Sequence, residues 1–284
     1  MSSGRPGVAN YAMMSEGRDG IMKNRTGFVV LGDAGVRRID GQLVYAVGDI
    51  HGRYDLLEGL LRRIVADAAT AAHGRRPVLV FCGDYIDRGP ASADVLAALA
   101  WLRTRADYEL HLLIGNHEQA MLRYLVDPEE GRPWLGFGGA ETLESYGISA
   151  PDVADEPADH LTARDRLLDT MPASHLVLLQ SLETIVTIGD YAFCHAGIRP
   201  GRRLADQTVD DLLWIREPFL GATRSFEKMI VHGHSWDGPE PVVRSNRIGI
   251  DTGAYQTGVL TCLRIEDQGW AVMQEEIAPD QLSR

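Results

Sequence analysis

Leu43-Val44-Tyr45-Ala46-Val47-Gly48-Asp49-Ile50-His51-Gly52 is an apolar run that stops at a glycine and turns polar, and the segment after it, 55–72, is amphipathic. There Leu56, Leu57, Leu60, Leu61, Ile64, Val65 and Ala68 recur at helical spacing, a stripe for packing against a core. The same succession repeats twice. Val78 to Phe81 leads into Gly83-Asp84-Tyr85-Ile86-Asp87-Arg88-Gly89 and a helical segment at 92–105; Leu110 to Ile114 leads into Gly115-Asn116-His117-Glu118 and another at 117–126. Strand, turn and helix in repetition predict an α/β domain. Each polar turn falls at a strand's carboxyl end, where open α/β sheets place their ligands.

From about 127 to 182 the rhythm breaks into a Gly/Pro-punctuated loop and helical stretches near 139–146, 160–170 and 173–181, which predicts a cap inserted over the site. After 183 the pattern is mostly β, with runs at 184–188, 191–194, 229–231, 241–243, 247–250, 259–265 and 270–274. These predict a second sheet packed on the first. The expected architecture is two mixed β-sheets in a sandwich flanked by helices, one domain over 26–284. Residues 1–25 are rich in Gly, Ser, Arg and Met without periodicity and are expected to be a disordered tail, with Met13, Met14 and Met22 leaving open a later start.

The chain of 284 residues has 28 basic and 40 acidic side chains, a formal charge of −12. A polyanion surface needs a basic patch, so a nucleic-acid polymer or an anionic membrane is not an expected partner. No run approaches the roughly 18 apolar residues of a transmembrane helix, and the expected location is cytoplasmic. Three cysteines without a C-x-x-C pair, two of them (Cys82 and Cys194) in strand-like runs, read as small core residues in a reducing compartment.

The polar turns carry metal-ligand residue types. Asp49 and His51 alternate by two, which on a strand end would aim both at one ion. Asp84 has two oxygens with which to bridge two cations. Asn116 offers a neutral amide oxygen beside His117; the same Asn-His-Glu also reads as a helix start capped by Asn116. His195 and His234, each at the end of an apolar strand, add imidazoles for a second ion. His232 has no clear role and reads as structural; His73, His111, His160 and His175 fall outside all motifs.

The segments 48–52, 83–89 and 115–118, with His195-Ala196-Gly197 and Gly233-His234, closely resemble the phosphoprotein phosphatase group of metallophosphoesterases, whose hallmarks are GDxHG, GDxxDRG and GNHE. The resemblance spans residues 48–254. It implies the αββα metallophosphatase fold and two divalent ions, with Mn²⁺ the expected activator and Fe or Zn as alternatives. Asp49, His51 and Asp84 would hold one ion, and Asp84, Asn116, His195 and His234 the other. His117 would be the general acid, oriented by Asp87. Arg88, with Asn116, would hold the phosphate, and Arg216 in Leu213-Trp214-Ile215-Arg216-Glu217 would be a second phosphate-binding arginine unless it is a helix-surface residue paired with a carboxylate.

The chain also departs from the family pattern. Ile114 stands where many members have arginine, so the phosphate grip is looser or is supplied by Arg53. Gly249-Ile250-Asp251-Thr252-Gly253-Ala254 replaces the SAPNYC ending of the eukaryotic branch, which together with 138–147 implies a bacterial-type enzyme without an obligate regulatory subunit. The expected activity is a phosphomonoester hydrolase that removes phosphate from Ser or Thr, and also Tyr, of phosphoproteins by way of a metal-bound hydroxide. The competing expectations are a symmetrical diadenosine tetraphosphate hydrolase or other small-molecule phosphoesterase, and a binding module that has lost catalysis. The last should lack a ligand or the acid, and none is missing from the motifs.

Overall fold

The structure, a computed structural model, describes residues 21–23, 28–31 and 37–277. The strands are β1 (Ile21–Lys23), β2 (Phe28–Leu31), β3 (Val44–Val47), β4 (Val78–Phe81), β5 (Glu109–Leu112), β6 (Ile185–Ile188), β7 (Tyr191–Cys194), β8 (Met229–His232), β9 (Val242–Val243), β10 (Arg247–Gly249), β11 (Val259–Glu266) and β12 (Gly269–Glu276). The helices are α1 (Tyr54–Ala71), α2 (Ser92–Leu102), α3 (Asn116–Val126), α4 (Pro128–Gly131), α5 (Gly139–Ser145), α6 (Pro157–Thr170), α7 (Ala173–Gln180), α8 (Val209–Trp214) and α9 (Ala254–Thr257). Short 3-10 turns run over Arg132–Phe137 and Leu204–Asp206.

Two sheets form, in the orders β1-β2-β12-β11-β3-β4-β5 and β6-β7-β8-β10-β9. Side-chain alternation divides their residues between three apolar layers. Val44, Ala46, Val78 and Val80 meet Phe193, Met229, Val231 and Ile248 between the sheets. Tyr45, Val47, Leu79 and Phe81 face the other way onto Leu56, Leu57, Leu60, Val95, Leu96 and Leu99 of α1 and α2. Ala192, Cys194 and Ile230 turn outward from the second sheet onto Leu212, Leu213 and Phe219. The result is an αββα sandwich, and burial on both faces explains why β3 and β4 read as unbroken apolar runs.

The parallel pairs β3–β4 and β4–β5 in one sheet, and β7–β8 and β8–β10 in the other, deliver their carboxyl-end loops to a common edge. The polar turns of the sequence meet there.

Three expectations change. β11 and β12 do not join the late strands in the second sheet. β11 pairs antiparallel with β3, Cys262 opposite Val47 and Ile265 opposite Val44, and so covers the edge of β3 that β4 leaves open. The segment 127–182, expected as a cap over the site, packs most of its helices away from it: α6 on α3 and α4, and α7 on α2. Of the expected N-terminal tail, Ile21–Lys23 forms an edge strand against β2; the rest lies outside the described residues. Cys82, Cys194 and Cys262 are all buried and unpaired, as core residues. No described helix is long and apolar enough to cross a membrane.

Candidate metal centre and phosphate cleft

Asp84, three residues past β4, is the hub. Its Oδ1 lies 3.4 Å from His195 Nε2, and its Oδ2 lies 3.5 Å from His51 Nε2 and 3.9 Å from His117 Nε2. Ligand atoms of His51, Asp84 and His117, and separately of Asp84, His195 and His234, fall within 4.8 Å of one another. One carboxylate therefore serves two clusters. Asn116 Oδ1 belongs to the second, 2.9 Å from both His195 Nε2 and His234 Nδ1.

The donors fit cations on three counts. His51 and His195 each turn Nδ1 to a backbone carbonyl, Ile86 O at 2.9 Å and Cys82 O at 2.8 Å, which must accept an N–H. Nε2 of each neutral ring is then a bare lone pair, and in His195 it faces another acceptor, the Asn116 oxygen. Burial lowers His51, His195 and His234 below the usual imidazole range and keeps these rings neutral. Finally, Asp49 Oδ1 and His234 Nε2 are buried with no partner among the described residues, and mixed carboxylate, amide and imidazole donors suit Mn, Fe or Zn.

Burial alone would raise Asp84, but His195, His117, His51 and His234 around it hold it below the usual carboxylate range. Asp49 differs. Burial first, then Asp251 and Asp84, push it well up, while His234 N donates to its Oδ2 at 2.9 Å. Asp49 belongs to neither three-residue cluster and does not share an aim with His51 by strand alternation, because β3 ends at Val47 and His51 adopts φ 46°.

His117 Nδ1 is 2.7 Å from Asp87 Oδ2. Asp87 is wholly buried and also accepts from Trp134 Nε1 at 2.8 Å and Thr142 Oγ1 at 2.6 Å, while its own N–H reaches Ser92 Oγ and Thr142 Oγ1. Burial would lower His117, but Asp84 and the Asp87 hydrogen bond outweigh it and leave the imidazole raised. Asn116 is not the cap of α3: Gly115 is the N-cap, which frees the Asn116 side chain for the centre.

Glu118 was not among the expected site residues and holds the motif loop together. Buried at N3 of α3, it accepts from Gly115 N at 2.9 Å, Asp84 N at 2.9 Å, Tyr85 N at 2.8 Å and Ile86 N at 3.4 Å. The sequence signal was a capping-box glutamate in a motif. Asp251, past β10, is a second addition: it binds Gly253 N at 2.9 Å, and burial pushes it up to about 7. Two glycines permit the close approach. A Cβ at Gly115 would lie 2.1 Å from Asp84 Oδ1, and one at Gly233 would lie 1.9 Å from Asp49 Oδ1.

Arg88 places NH1 3.1 Å from His51 Nε2 and NH2 3.1 Å from His117 Nε2. Arg216, exposed just past α8, reaches Ser235 Oγ at 3.3 Å and the His234 carbonyl at 3.4 Å, with no carboxylate partner among the described residues. Both arginines line a cleft of about 350 Å³ with His51, Asp84, Asn116, His117 and His234. From 127–182 only Phe137 lines it. Arg53 does not supply phosphate grip: it is buried, forked onto Asp55 at 2.9 and 2.6 Å and bonded to the Ala254 carbonyl. His232 is structural, packed edge-on to Phe219 and 3.3 Å from Arg247 NH1.

Five of the seven described non-glycine residues with positive φ are His51, Asp84, Asp87, Arg88 and His234. Such backbone costs on the order of 1–3 kcal/mol per residue, and its concentration here marks a site held by its surroundings.

A family model described as calcineurin-like phosphoesterase matches residues 43–251. The asymmetrical bis(5'-nucleosyl)-tetraphosphatase PrpE of Bacillus subtilis (strain 168) is 28% identical over 240 residues, covering 78% of this chain and 90% of that protein. Serine/threonine-protein phosphatase 2 of Escherichia coli (strain K12) is 27% identical over 234 residues, covering 78% and 93%. A crystal structure described as a candidate diadenosine tetraphosphatase superposes with a TM-score of 0.56 at 19% identity, over 85% of this chain and 97% of that one, a likeness of fold.

Proposed function

This chain belongs to the calcineurin-like phosphoesterase family, and from that premise we propose that it is a metal-dependent phosphomonoesterase that dephosphorylates serine and threonine, and also tyrosine, of phosphoproteins. The pair His117–Asp87 carries this reading. A serine or threonine alkoxide is a poor leaving group and needs a proton as its P–O bond breaks, whereas a nucleotide leaving a tetraphosphate is stable without one.

Asp49, His51 and Asp84 would hold one divalent ion, and Asp84, Asn116, His195 and His234 the other, with Mn²⁺ as the activating metal. When bound, such ions neutralise phosphoryl oxygens and lower the pKa of water. Arg88 orients the ester with its planar fork, and Arg216, on the same cleft, adds a second. Asn116 lines the same cleft and would add an amide contact to the phosphate. Once Arg88 turns from His117 Nε2 to the ester, that nitrogen is free to carry a proton, and His117, fixed at Nδ1 by Asp87, would give it to the leaving oxygen. Trp134 and Thr142 keep Asp87 from turning away.

A second reading is hydrolysis of dinucleoside tetraphosphates, favoured by the likeness to PrpE. Phosphate release by chelator-stripped, Mn²⁺-reloaded protein separates the two, with phosphoserine, phosphothreonine and phosphotyrosine peptides compared against diadenosine tetraphosphate. Higher kcat/KM on the peptides supports a protein phosphatase. Higher kcat/KM on the dinucleotide replaces that reading with the second.

A further inference from the structure

Four side chains that line the cleft take no part in the hydrolysis itself, and all four are aromatic: Phe137, Trp214, Trp236 and Tyr255. Exposed aromatics scattered singly need no explanation, but four lining one polar concavity give it apolar walls, two of which, Trp236 and Tyr255, meet. Phe137 and Trp214 are 47% and 39% exposed. The rings are also held. Trp214 Nε1 donates to Gln119 Oε1 on α3 at 2.8 Å. Trp236 sits with its ring fusion against Gly253, where a Cβ would lie 2.7 Å from Cδ2 and 2.9 Å from Cε2. Backbone covers that side of the indole, and the ring lines the cleft with the remainder.

Tyr255 joins this wall to the chemistry. It meets Trp236 edge-on at 6.3 Å and His51 edge-on at 5.2 Å, and Arg88 Cζ stands 4.7 Å from its centroid. The aromatic surface thus begins at the guanidinium assigned to the phosphate. A ring attached next to the ester oxygen would reach it at once; a nucleobase stands a ribose farther off. On the phosphoesterase reading, we infer that Tyr255 and Trp236 form a ring-binding subsite that favours phosphoesters with an aromatic ring one or two bonds from the ester oxygen, the chemistry of a phosphotyrosyl side chain.

Benzyl phosphate and cyclohexylmethyl phosphate test this, because they share nearly the same bulk and leaving alcohol and differ in the π face. With the full-length Mn²⁺-loaded protein, kcat/KM for the benzyl ester should be about three- to tenfold higher, through KM, as expected for one aromatic pair. Trp236→Leu or Tyr255→Leu should bring the ratio toward one, and Trp236→Phe should keep most of it. The ratio is internal to each variant, so a lower yield of folded protein does not distort it. Equal values in the parent protein, or a ratio that survives both leucine variants, would overturn the subsite and leave the phosphoesterase reading standing. Hydrolysis of neither ester would overturn both. Adenosine 5'-monophosphate preferred over benzyl phosphate would assign the wall to a nucleobase and overturn the aryl assignment.

Discussion

Asp87 accepts three hydrogen bonds from His117, Trp134 and Thr142, and only the first partner comes from a recognised motif. His117→Asn should keep the metal content and lower turnover of alkyl phosphates by about 10²–10⁴, with a smaller loss for aryl phosphates, whose leaving group needs less protonation. Equal losses on both esters would remove His117 from the acid role. Glu118 makes a different claim. Burial and Asp84 push its carboxyl up, while four N–H donors across its two oxygens favour the ionised form. Glu118→Gln would turn an amide N–H toward a backbone N–H, which should destabilise the fold by about 1–3 kcal/mol; an unchanged melting temperature would mean that the carboxyl is already protonated. That Asp49, His51, Asp84, Asn116, His117, His195 and His234 stand at strand-end turns was legible, because a cation site demands Asp, His and Asn beside glycine turns. Trp134 and Thr142 were not, because hydrogen bonds formed across the fold leave no spacing to read. Arg53 shows the opposite error: its place in a motif turn suggested phosphate, yet Asp55 two residues on had claimed its fork.

Among the elements, those with both faces buried were the easiest to read, since β3, β4, β7 and β8 are continuous apolar runs. Their partners were less so. β11 also reads as a strand, but which sheet receives it depends on the open edge of β3, a property of the assembled fold. The 127–182 helices read as helices, but what they pack on did not, because amphipathic spacing gives a buried face without naming its neighbour. The short helix α8 offers a test at this scale. Asp211 in its first turn binds Arg199 through both oxygens and accepts from Thr208 Oγ1, the N-cap side chain. The Arg199 hydrogen bonds hold its carboxyl below the usual value of 3.8. A depressed folded pKa gives stability that is present above the unfolded value and lost as pH falls through the folded one. Asp211→Asn should therefore lower the melting temperature at pH 7, and the two proteins should converge as pH falls through the depressed folded value of Asp211. A difference that persists undiminished in acid would show that packing, not charge, is what the residue contributes.

At the scale of the whole molecule, the centre exists only where the two sheets meet: Asp49, His51, Asp84 and Asn116 come from the first, and His195, His234 and Asp251 from the second. Ions bound there would tie the sheets together and stabilise the native state by mass action, about 2.7 kcal/mol at a hundredfold excess over Kd. Adding Mn²⁺ to stripped protein should raise the melting temperature by several degrees, and Asp84→Asn should abolish most of that rise. No shift in the parent protein would argue against a bound ion at this junction. The path of the chain through the first sheet has a further consequence, for synthesis. β3 leaves the ribosome well before its second neighbour, β11, and β12 and β2 can close the sheet only after that. A nascent chain therefore carries Val44–Val47 with an open edge until Val259–Glu266 has been made. Helices α1 and α2 can form and collapse onto it as they emerge, while catalytic competence waits for release of the carboxyl-terminal hairpin. Truncation between β10 and β11 should thus trap a compact, edge-exposed species that aggregates, a vulnerability set by strand order and independent of the chemistry the site performs.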